Sequence, residues 1–492
     1  MENYDVKDIL KELPPTPPQE DIDLIVHAYN FALMAHKEQK RNSGEPYFIH
    51  VFETAKNLAR YEMDATTIAA GFLHDVLEDT PTSEAELEKE FGKEIVDLVK
   101  GVTKLGAVKY RGQIRHVESL RKFLMALAQD YRVLLIKLAD RLHNLRTLMH
   151  VRPEKQRRIA LESIEVYAPL ADRLGIGRLK SEIEDAAFPY AYPKEYTEVE
   201  KILEERSEHL KESLESVYKE LNDELAKTTI NVKKLDYRIK HRYSLWKKLQ
   251  KHEMNIENVY DLIAIRITVE TIEECYAALG LVHSLWRPLP SRIKDYIALP
   301  KLNGYQSLHT TIFTGDGGIV EVQIRTEEMH GRAEFGIASH YSYKEHAKGG
   351  KTKDKFQWVD EFKNLGKTVT ESSDFLKHLK ADFFNDRIFV FTPDGDVIDL
   401  PKDSSVIDFA YSVHSDIGNK ASGARVNGKF VALNTVLHSS DIVHVETRKD
   451  GAPKSKWLDF AKTTAAKKHI RTYLNEQEAG GILKRFFPRK YK

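Results

Sequence analysis

The segment FLHDVLEDT, residues 72–80, determines how the N-terminal part of this chain is interpreted. It places His74 and Asp75 side by side, with Glu78 and Asp79 four residues later. Residues four apart lie on one face of a helix, so the segment predicts one helical turn with His74 above Glu78 and Asp75 above Asp79. Four crowded ionisable groups repel one another and lose hydration unless a cation or a charged substrate compensates them.

Two further segments add residues that suit the same site. His50 ends the run EPYFIH, and Asp140 lies within KLADRLHNL. Two histidines with carboxylates suit a divalent ion such as Mn²⁺, with coordination positions left open for water. A solvated or capping His-Asp pair is the alternative. The repeated occurrence of such residues inside otherwise apolar helices favours the metal site.

Length and composition limit the class of protein. At 492 residues the chain is too long for one core, and about three domains are expected. The formal net charge is zero, so the chain lacks the overall positive field of a polybasic nucleic-acid binder. The single cysteine, Cys275, excludes an internal disulfide and a cysteine-based zinc site. The chain start does not resemble a signal peptide, and no run approaches the roughly 20 apolar residues of a membrane span. We therefore expect a cytoplasmic protein without a membrane partner.

The hydrophobic patterns divide the chain into parts. Helical spacing predicts an all-α N-terminal domain. The β-type runs DLIAIRITVE and GIVEVQIRT enclose a helical segment and predict an α+β domain, led by a charged helix over 201–229 that could equally be a solvated linker. Hairpins around a short helix then predict a small β-grasp-like module. The predicted parts are 1–200, 201–345, a linker at 346–385, the module at 386–448 and a basic helical tail at 449–492.

A second group of polar residues lies in the run RIKDYIALPKLNGYQSLHT, residues 292–310. Cations that alternate with an aromatic ring and amides suit a nucleotide pocket, because the cations neutralise phosphates and tyrosine offers a stacking surface. The residues concerned are Arg292, Lys294, Lys301, Tyr305, Gln306 and His309.

Neighbouring segments extend this predicted pocket. Alternation along EVQIR puts Glu321, Gln323 and Arg325 on one face of a strand, and Asp261 offers a carboxylate suited to Mg²⁺ near a triphosphate. No Walker-type glycine-rich loop occurs, so the pattern indicates phosphoryl or pyrophosphoryl transfer outside the P-loop class. Upstream, RIKHRYSLWKKL adds cations and a hydroxyl on what we interpret as a helical spacing: Arg238, Lys240, Ser244 and Lys248.

These motifs resemble the long RelA/SpoT homologues, bifunctional enzymes of the stringent response that make and degrade the alarmone (p)ppGpp. The resemblance runs from about residue 25 to 448 and includes RNSGEPYFIH, FLHDVLEDT, KLADRLHNLRTL, VEVQIRTEEMH and VFTPDGDVIDLP. It implies an all-α HD-type hydrolase, an α+β nucleotidyltransferase-like synthetase and a β-grasp TGS module. Lys294 lies in the RIKD run, whose basic form accompanies bifunctional members of this family.

The resemblance also implies roles in hydrolysis. Glu78 and Asp79 would position or activate the water that attacks the 3′-pyrophosphate, and Arg41 would hold that pyrophosphate. Products would be GDP or GTP and pyrophosphate. The implied Mn²⁺ ligands are His50, His74, Asp75 and Asp140, and the implied nucleotide contacts are Ser43, Asn144 and Thr147.

In synthesis, the resemblance implies transfer of pyrophosphate from ATP to the 3′-hydroxyl of GDP or GTP. Asp261 would hold Mg²⁺, Glu321 would act as general base or second metal contact, and Tyr305 would stack on guanine. The ATP contacts would be Arg238, Lys240, Lys248, Lys301 and Arg325, with Ser244, Asn303, Gln323 and His309 completing the pocket.

Two departures from the family pattern stand out. Tyr237 replaces a usual glycine and is expected to crowd a loop that carries Arg238. The chain stops at Lys492, without the zinc-finger or RRM and ACT regions of long members. The resemblance implies that the TGS module contacts uncharged tRNA on the ribosome, weakened by those missing regions. His414 is either such a contact or a surface or capping histidine. A regulatory protein with one inactive site is the alternative to a bifunctional enzyme.

Overall fold

The computed structural model describes residues 4–14, 16–41, 43–106, 130–256, 259, 262–290, 292–301, 303–314, 318–336, 387–439 and 441–486. They form two compact units, the first ending at Gly336 and the second beginning at Arg387. The predicted linker at 346–385 and Asp261 lie outside the described residues.

The N-terminal part of the first unit is helical, as predicted. Its core contains Phe52, Phe72 and Leu138, which are inaccessible or nearly so. Asp64 caps a helix start by accepting a hydrogen bond from the Thr67 amide at 2.7 Å. The helices are α1 (Lys7–Leu10), α2 (Gln19–Ala35), α3 (Phe48–Arg60), α4 (Ala65–Leu73), α5 (Val76–Asp79), α6 (Glu84–Gly106, kinked at Gly92), α7 (Arg132–Arg146), α8 (Pro153–Glu162), a π-helical turn (Ser163–Tyr167), α9 (Ala168–Arg173), α10 (Gly177–Ala191) and α11 (Pro193–Leu225).

The predicted position of His74 above Glu78 is wrong, whereas Asp79 does follow Asp75 by one helical turn, because the Asp79 amide donates to the Asp75 carbonyl at 2.9 Å. Helix α4 ends at Leu73, and α5 begins at Val76. The bend buries His74 at 1% exposure, whereas Glu78 and Asp79 stay exposed at the end of α5. His74 therefore points into the helical domain instead of lying above Glu78.

Helix α11 is more than a solvated linker. Its apolar residues Leu214, Val217, Leu221 and Leu225 are buried in the core of the α+β part. Apolar residues recurring at three- and four-residue intervals give a helix one buried face, whatever the charge on its other side. The charged helix is therefore part of the domain that it precedes.

The α+β part contains a five-stranded sheet in the order β1-β2-β5-β4-β3. Strands β2 and β5 are parallel and the other neighbours are antiparallel. One face packs on α11 and α13 through Ile265, Val322 and Ile324, and the other face is polar. The elements are β1 (Val232–Ile239), α12 (Arg242–Lys251), β2 (Ile263–Val269), α13 (Ile272–Leu285), β3 (Lys294–Asp295), β4 (Leu308–Phe313), β5 (Ile319–Thr326) and α14 (Glu327–Phe335).

Helix α10 joins the helical part to the α+β part. The Asp185 carboxylate accepts the backbone N–H of Tyr243 at 3.1 Å and lies 2.8 Å from His241 Nδ1, so it caps the start of α12. Phe188 packs against Trp246 with ring centroids 5.4 Å apart. The helical and α+β parts therefore share a packed core along α10.

The second unit contains two small sheets around a buried helix. The hairpin turn of β8 and β9 uses Asn427 and Gly428 at φ 50° and 81°, as the Asn-Gly pair predicts. Its helix α15 is tied to the segment after residue 460 by Asp408, which accepts hydrogen bonds from the Lys462 and Thr463 amides at 2.8 Å. The elements are β6 (Arg387–Phe391), β7 (Val397–Pro401), α15 (Val406–Val413), α16 (Ser415–Lys420), β8 (Ala421–Val426), β9 (Lys429–Val431), β10 (Val443–Thr447), a 3₁₀ turn (Ser455–Asp459) and α17 (Thr464–Phe486).

Candidate functional sites

Three helices bring a set of metal-binding side chains together inside the helical domain. His50 from α3, His74 after α4 and Asp140 from α7 place ligand atoms within 4.8 Å of one another, and all three are buried. Asp75 Oδ2 lies 3.1 Å from His74 Nε2 and 3.5 Å from His50 Nε2. The four residues predicted as ligands thus form one cluster.

The hydrogen bonds of the two histidines orient one ring nitrogen of each toward this cluster. His74 Nδ1 lies 2.7 Å from the Gly71 carbonyl, which leaves the buried Nε2 without a hydrogen-bond partner. His50 Nδ1 lies 2.8 Å from His143 Nδ1. Burial, together with His50 and Arg41, lowers the pKa of His143 to about 3, so His143 is neutral and its Nδ1 can accept a hydrogen bond from His50 Nδ1. An inward-facing unpartnered imidazole nitrogen beside carboxylates fits a divalent cation.

The carboxylates of the cluster are held in their charged form. Burial alone would raise the pKa of Asp140, but Lys137, whose Nζ is 2.7 Å from Asp140 Oδ2, and His50 hold that pKa well below its usual range. Burial opposes ionisation of Asp75 as well, and His74 and His50 reverse this effect on its pKa. Ionised carboxylates are the form that binds metal.

Tyr47 links the cluster to the predicted water-activating acid. Its hydroxyl lies 2.7 Å from Asp75 Oδ2 and 2.9 Å from Asp79 Oδ2. Burial and these carboxylates raise the pKa of Tyr47, so the phenol keeps its proton. Neither Tyr47 nor His143 was predicted from the sequence, although each lies within a motif that marks the site.

A cavity adjoins the metal cluster and contains the predicted nucleotide contacts Arg41, Ser43, Asn144 and Thr147. The Arg41 guanidinium donates to Asn144 Oδ1 at 2.7 Å and to Thr147 Oγ1 at 3.0 Å. Lys137, Asp140 and Arg141 also line the cavity. A cation-lined cavity beside a metal cluster suits a phosphorylated ligand.

The polar face of the sheet forms a second group of functional side chains. Strand register aligns Lys294 with His309, and His309 with Gln323. His309 Nδ1 lies 2.8 Å from Glu321 Oε1, and its Nε2 lies 2.7 Å from the Tyr305 hydroxyl. The predicted base, a histidine and the predicted stacking residue therefore form one hydrogen-bonded chain.

The segment before β4 brings further predicted residues to this face. The Lys301 ammonium lies 4.6 Å from the Tyr296 ring centroid and 4.8 Å from that of Tyr305. Asn303 Oδ1 accepts the Tyr305 amide at 3.2 Å, and the Gln306 side chain donates to the Ile297 carbonyl at 3.3 Å. Arg292 and Lys294 have exposed side chains.

Arg325 occupies a different environment from the one predicted. It is 2% exposed, and its guanidinium donates to Glu334 at 3.1 Å and lies 2.6 Å from His330 Nδ1. Arg266, which was not predicted from the sequence, binds the same Glu334 at 3.1 Å and both Asp236 oxygens at 2.6 and 2.7 Å. The structure therefore places Arg325 in a buried charge network and not in an open cleft.

The helical spacing assigned to four upstream residues is wrong for two of them. Arg238 lies in strand β1 and Lys240 follows it, whereas Ser244 and Lys248 lie on α12. Tyr237 is also in β1, pairs with Ile265 and is 57% exposed. It therefore does not crowd a loop that carries Arg238, because a strand side chain next to Arg238 points to the opposite face.

His414 in the second unit is exposed and caps α16. Its Nδ1 accepts the Asp416 amide at 3.2 Å. This is the environment of a surface or capping histidine, and the predicted tRNA contact stays a prediction. Among the described residues, no helix has both the length and the apolar character required to cross a membrane.

Comparisons with known proteins identify three domain types along the chain. An HD domain matches residues 28–177, a region found in RelA/SpoT proteins matches 237–348, and a TGS domain matches 388–447. The predicted fold class and resemblance are thereby confirmed.

Three curated relatives resemble the chain over nearly its whole length. A guanosine-3′,5′-bis(diphosphate) 3′-pyrophosphohydrolase from Aquifex aeolicus is 46% identical over 92% of this chain and 65% of the relative. A GTP pyrophosphokinase from Myxococcus xanthus is 43% identical over 94% and 62%. The bifunctional (p)ppGpp synthase/hydrolase SpoT of Escherichia coli is 41% identical over 93% and 65%. The chain thus spans less than two thirds of the length of these relatives.

Proposed function

The chain is a RelA/SpoT homologue with an HD domain, a RelA/SpoT region and a TGS domain in that order, and we propose that it both synthesises and hydrolyses (p)ppGpp. The observation that carries the proposal is the presence of two separate sites: a buried His/Asp cluster beside a cation-lined cavity, and a Glu–His–Tyr chain on a polar sheet face. We propose the sequence-predicted order of domains, with helix α11 (Pro193–Leu225) running across the predicted limit at residue 200.

In hydrolysis, His50, His74, Asp75 and Asp140 would hold a divalent ion, proposed to be Mn²⁺, which lowers the pKa of bound water and screens charge on phosphorus. Arg41 binds the 3′-pyrophosphate while Ser43, Asn144 and Thr147 contact the nucleotide. Glu78 and Asp79 position the attacking water, and one of these carboxylates takes its proton. The water oxygen bonds to the phosphorus attached to the ribose 3′-oxygen, the bond between that phosphorus and the 3′-oxygen breaks, and the 3′-oxygen takes up a proton as GDP or GTP and pyrophosphate leave.

In synthesis, the 3′-hydroxyl of GDP or GTP attacks the β-phosphorus of ATP, and AMP leaves. Glu321 accepts the hydroxyl proton, and Tyr305 stacks on guanine. Asp261 and Glu321 would hold Mg²⁺, which neutralises phosphate charge. The Arg238, Lys240, Lys248 and Lys301 cations bind the ATP phosphates. Arg325 is buried in contact with Glu334 and His330, which supports a role in fixing α14 against the polar face of the sheet and not in direct contact with ATP.

We propose that the TGS module gives the enzyme a contact with uncharged tRNA and the ribosome. The supporting observation is the TGS match at 388–447 and the exposed position of His414. Since ATP and guanine nucleotides are cytoplasmic metabolites, the proposed activity is a cytoplasmic one.

Two reactions on the same purified chain test the enzymatic proposal. ATP and GDP with Mg²⁺ should yield AMP and ppGpp, and ppGpp with Mn²⁺ should yield GDP and pyrophosphate. Asp75→Ala should lower hydrolysis by about a hundredfold or more and spare synthesis, and Glu321→Ala should do the reverse. The exposed residues Asp23 and Glu273 provide control variants, Asp23→Ala and Glu273→Ala, that should change neither rate.

The alternative of a regulatory protein with one inactive site predicts a different result. One of the two reactions would then be absent from the wild-type chain at saturating metal and substrate. Loss of both reactions in either single variant would contradict the two-site arrangement.

A further inference from the structure

The loop that carries Arg41 and Ser43 is closed at its base by Gln39 and Tyr47. The Tyr47 amide donates to the Gln39 carbonyl at 2.9 Å, and within the loop the Arg41 amide donates to the Glu45 carbonyl at 2.9 Å. Gln39 and Tyr47 each form a hydrogen bond with Asp79 as well, and Asp79 lies on a different helix, α5. The substrate-binding loop and the end of α5 are therefore physically joined.

Asp79 is held at its backbone and at its side chain. The Gln39 amide donates to the Asp79 carbonyl, and Gln39 Oε1 lies 2.6 Å from His36 Nδ1. The Tyr47 hydroxyl contacts Asp79 Oδ2 at 2.9 Å and Asp75 Oδ2 at 2.7 Å. The fully buried His36 also stacks on the Tyr47 ring with centroids 5.0 Å apart, so the ring that bears the hydroxyl is itself fixed.

This geometry has a consequence for an exposed acid. Asp79 ends a four-residue helix, where its side chain would otherwise sample several rotamers in water. The Tyr47 ring is held by stacking, and its hydroxyl contacts one oxygen of Asp75 and one of Asp79. This contact restricts the Asp79 carboxylate to the side that faces Asp75. A general base must lie within hydrogen-bond reach of the proton it accepts, and small misplacements are costly.

We propose that Tyr47 is a positioning residue for hydrolysis, whose hydroxyl orients the Asp79 carboxylate toward the metal-binding cluster. The proposal rests on the proposed hydrolase function. Because Tyr47 acts through Asp79 and is not among the residues that line the adjoining cavity, its hydroxyl affects turnover more than substrate binding.

Tyr47→Phe keeps the stacked ring and removes only the hydroxyl. At saturating Mn²⁺, we expect kcat for ppGpp hydrolysis to fall about 10- to 100-fold, the range of outer-shell substitutions, with KM changed less than about threefold. Titration of Mn²⁺ by electron paramagnetic resonance without substrate establishes that the variant is saturated with metal. Tyr61→Phe is the matched control, because Tyr61 is a buried tyrosine of the same helical domain whose hydroxyl faces Glu182 instead.

A double-mutant cycle distinguishes positioning from a general structural effect. Tyr47→Phe should add little to the loss caused by Asp79→Asn, because residues that act as a unit are non-additive. Synthesis by the same variant chains should stay at the wild-type rate, which reports intact folding. Wild-type-like kcat in Tyr47→Phe, or additive losses in the cycle, would overturn the inference. Absence of hydrolysis in the wild-type chain would instead overturn the proposed function.

Discussion

Gly336, at the end of α14, allows a close backbone contact between the α+β part and the turn after α9. Its φ of 58° and ψ of −126° lie where residues with a Cβ are strained. A Cβ there would lie 2.2 Å from the Leu174 carbonyl oxygen, 2.6 Å from the Gly175 carbonyl carbon and 2.8 Å from the Ile176 nitrogen. All three are backbone atoms, so no side chain can rotate to make room.

Gly336→Ala should therefore separate these two backbones. Strain in this backbone region costs about 1–3 kcal/mol. Relief of the carbonyl contact needs a shift of about 1 Å or more to reach ordinary separations. From the strain and the steric contact together, we expect the free energy of unfolding to fall by at least about 3 kcal/mol. For a unit of this size, that corresponds to a Tm lower by roughly 5–10 °C.

Separation of the two backbones at Gly336 should also change the geometry of the synthetase site. The last turn of α9 supports Asn303, whose side-chain amide donates to the Asp172 carbonyl at 3.3 Å. We expect synthesis kcat/KM to fall about tenfold or more, whereas hydrolysis should change less than about threefold, because its ligands lie on other helices.

Thermal denaturation and both activity assays measure the effect. Gly331→Ala is the control, since Gly331 lies within α14, a Cβ added there would meet no atom within 4 Å, and helix propensity should contribute about 0.5–1 kcal/mol of stability. If Gly336→Ala matched Gly331→Ala in both Tm and synthesis, the close approach of the two backbones would be refuted.

Three other predictions address the rest of the chain. Asp408→Ala should destabilise the second unit by about 3–5 kcal/mol, because the backbone amides that Asp408 accepts from would lose their acceptor. The rate of hydrogen exchange at the Lys462 and Thr463 amides should increase. Burial raises the pKa of Cys275 to about 12, so iodoacetamide at pH 8 should label it only after unfolding in guanidinium; rapid labelling of the native chain would contradict its burial. Burial, with Arg325 and Arg266, lowers the pKa of His330 to about 4, so between pH 6.5 and 4 the unfolded state binds a proton that the folded state does not. The free energy of unfolding should therefore fall as the pH drops from about 6.5 to 4. Urea titrations across this range should show a flatter dependence on pH for His330→Asn.

The cluster of candidate metal ligands was predictable because each of its residues is a polar side chain within an apolar helical run. His50, His74 and Asp140 are polar side chains at positions where helix packing would favour aliphatic ones, and the structure brings them together. The supporting residues were not predictable in this way. Tyr47 reaches Asp75 across 28 residues of sequence, and His143 reaches His50 across 93, so their roles follow from helix packing and not from spacing.

The α+β part shows a similar division. Alternation along β5 correctly indicates a strand with one polar face, because side-chain direction follows directly from strand geometry. Alternation does not show what covers that face. Glu334 and His330 come from the following helix, and their position converts Arg325 from an accessible cation into a buried one. The bend at His74 was likewise hidden, because a helical spacing remains compatible with two short helices.

Helix α10 has a practical consequence for dissecting this chain into fragments. It begins where the HD match ends, at residue 177, and it ends before the RelA/SpoT match begins at 237, yet Asp185 and Phe188 complete the start and the core of α12. A synthetase fragment that begins at residue 201 would expose Tyr243 and Trp246 to solvent and leave α12 uncapped. Fragments intended to carry synthesis alone should begin at or before Gly177, so that excision follows the packed core and not the limits of sequence similarity.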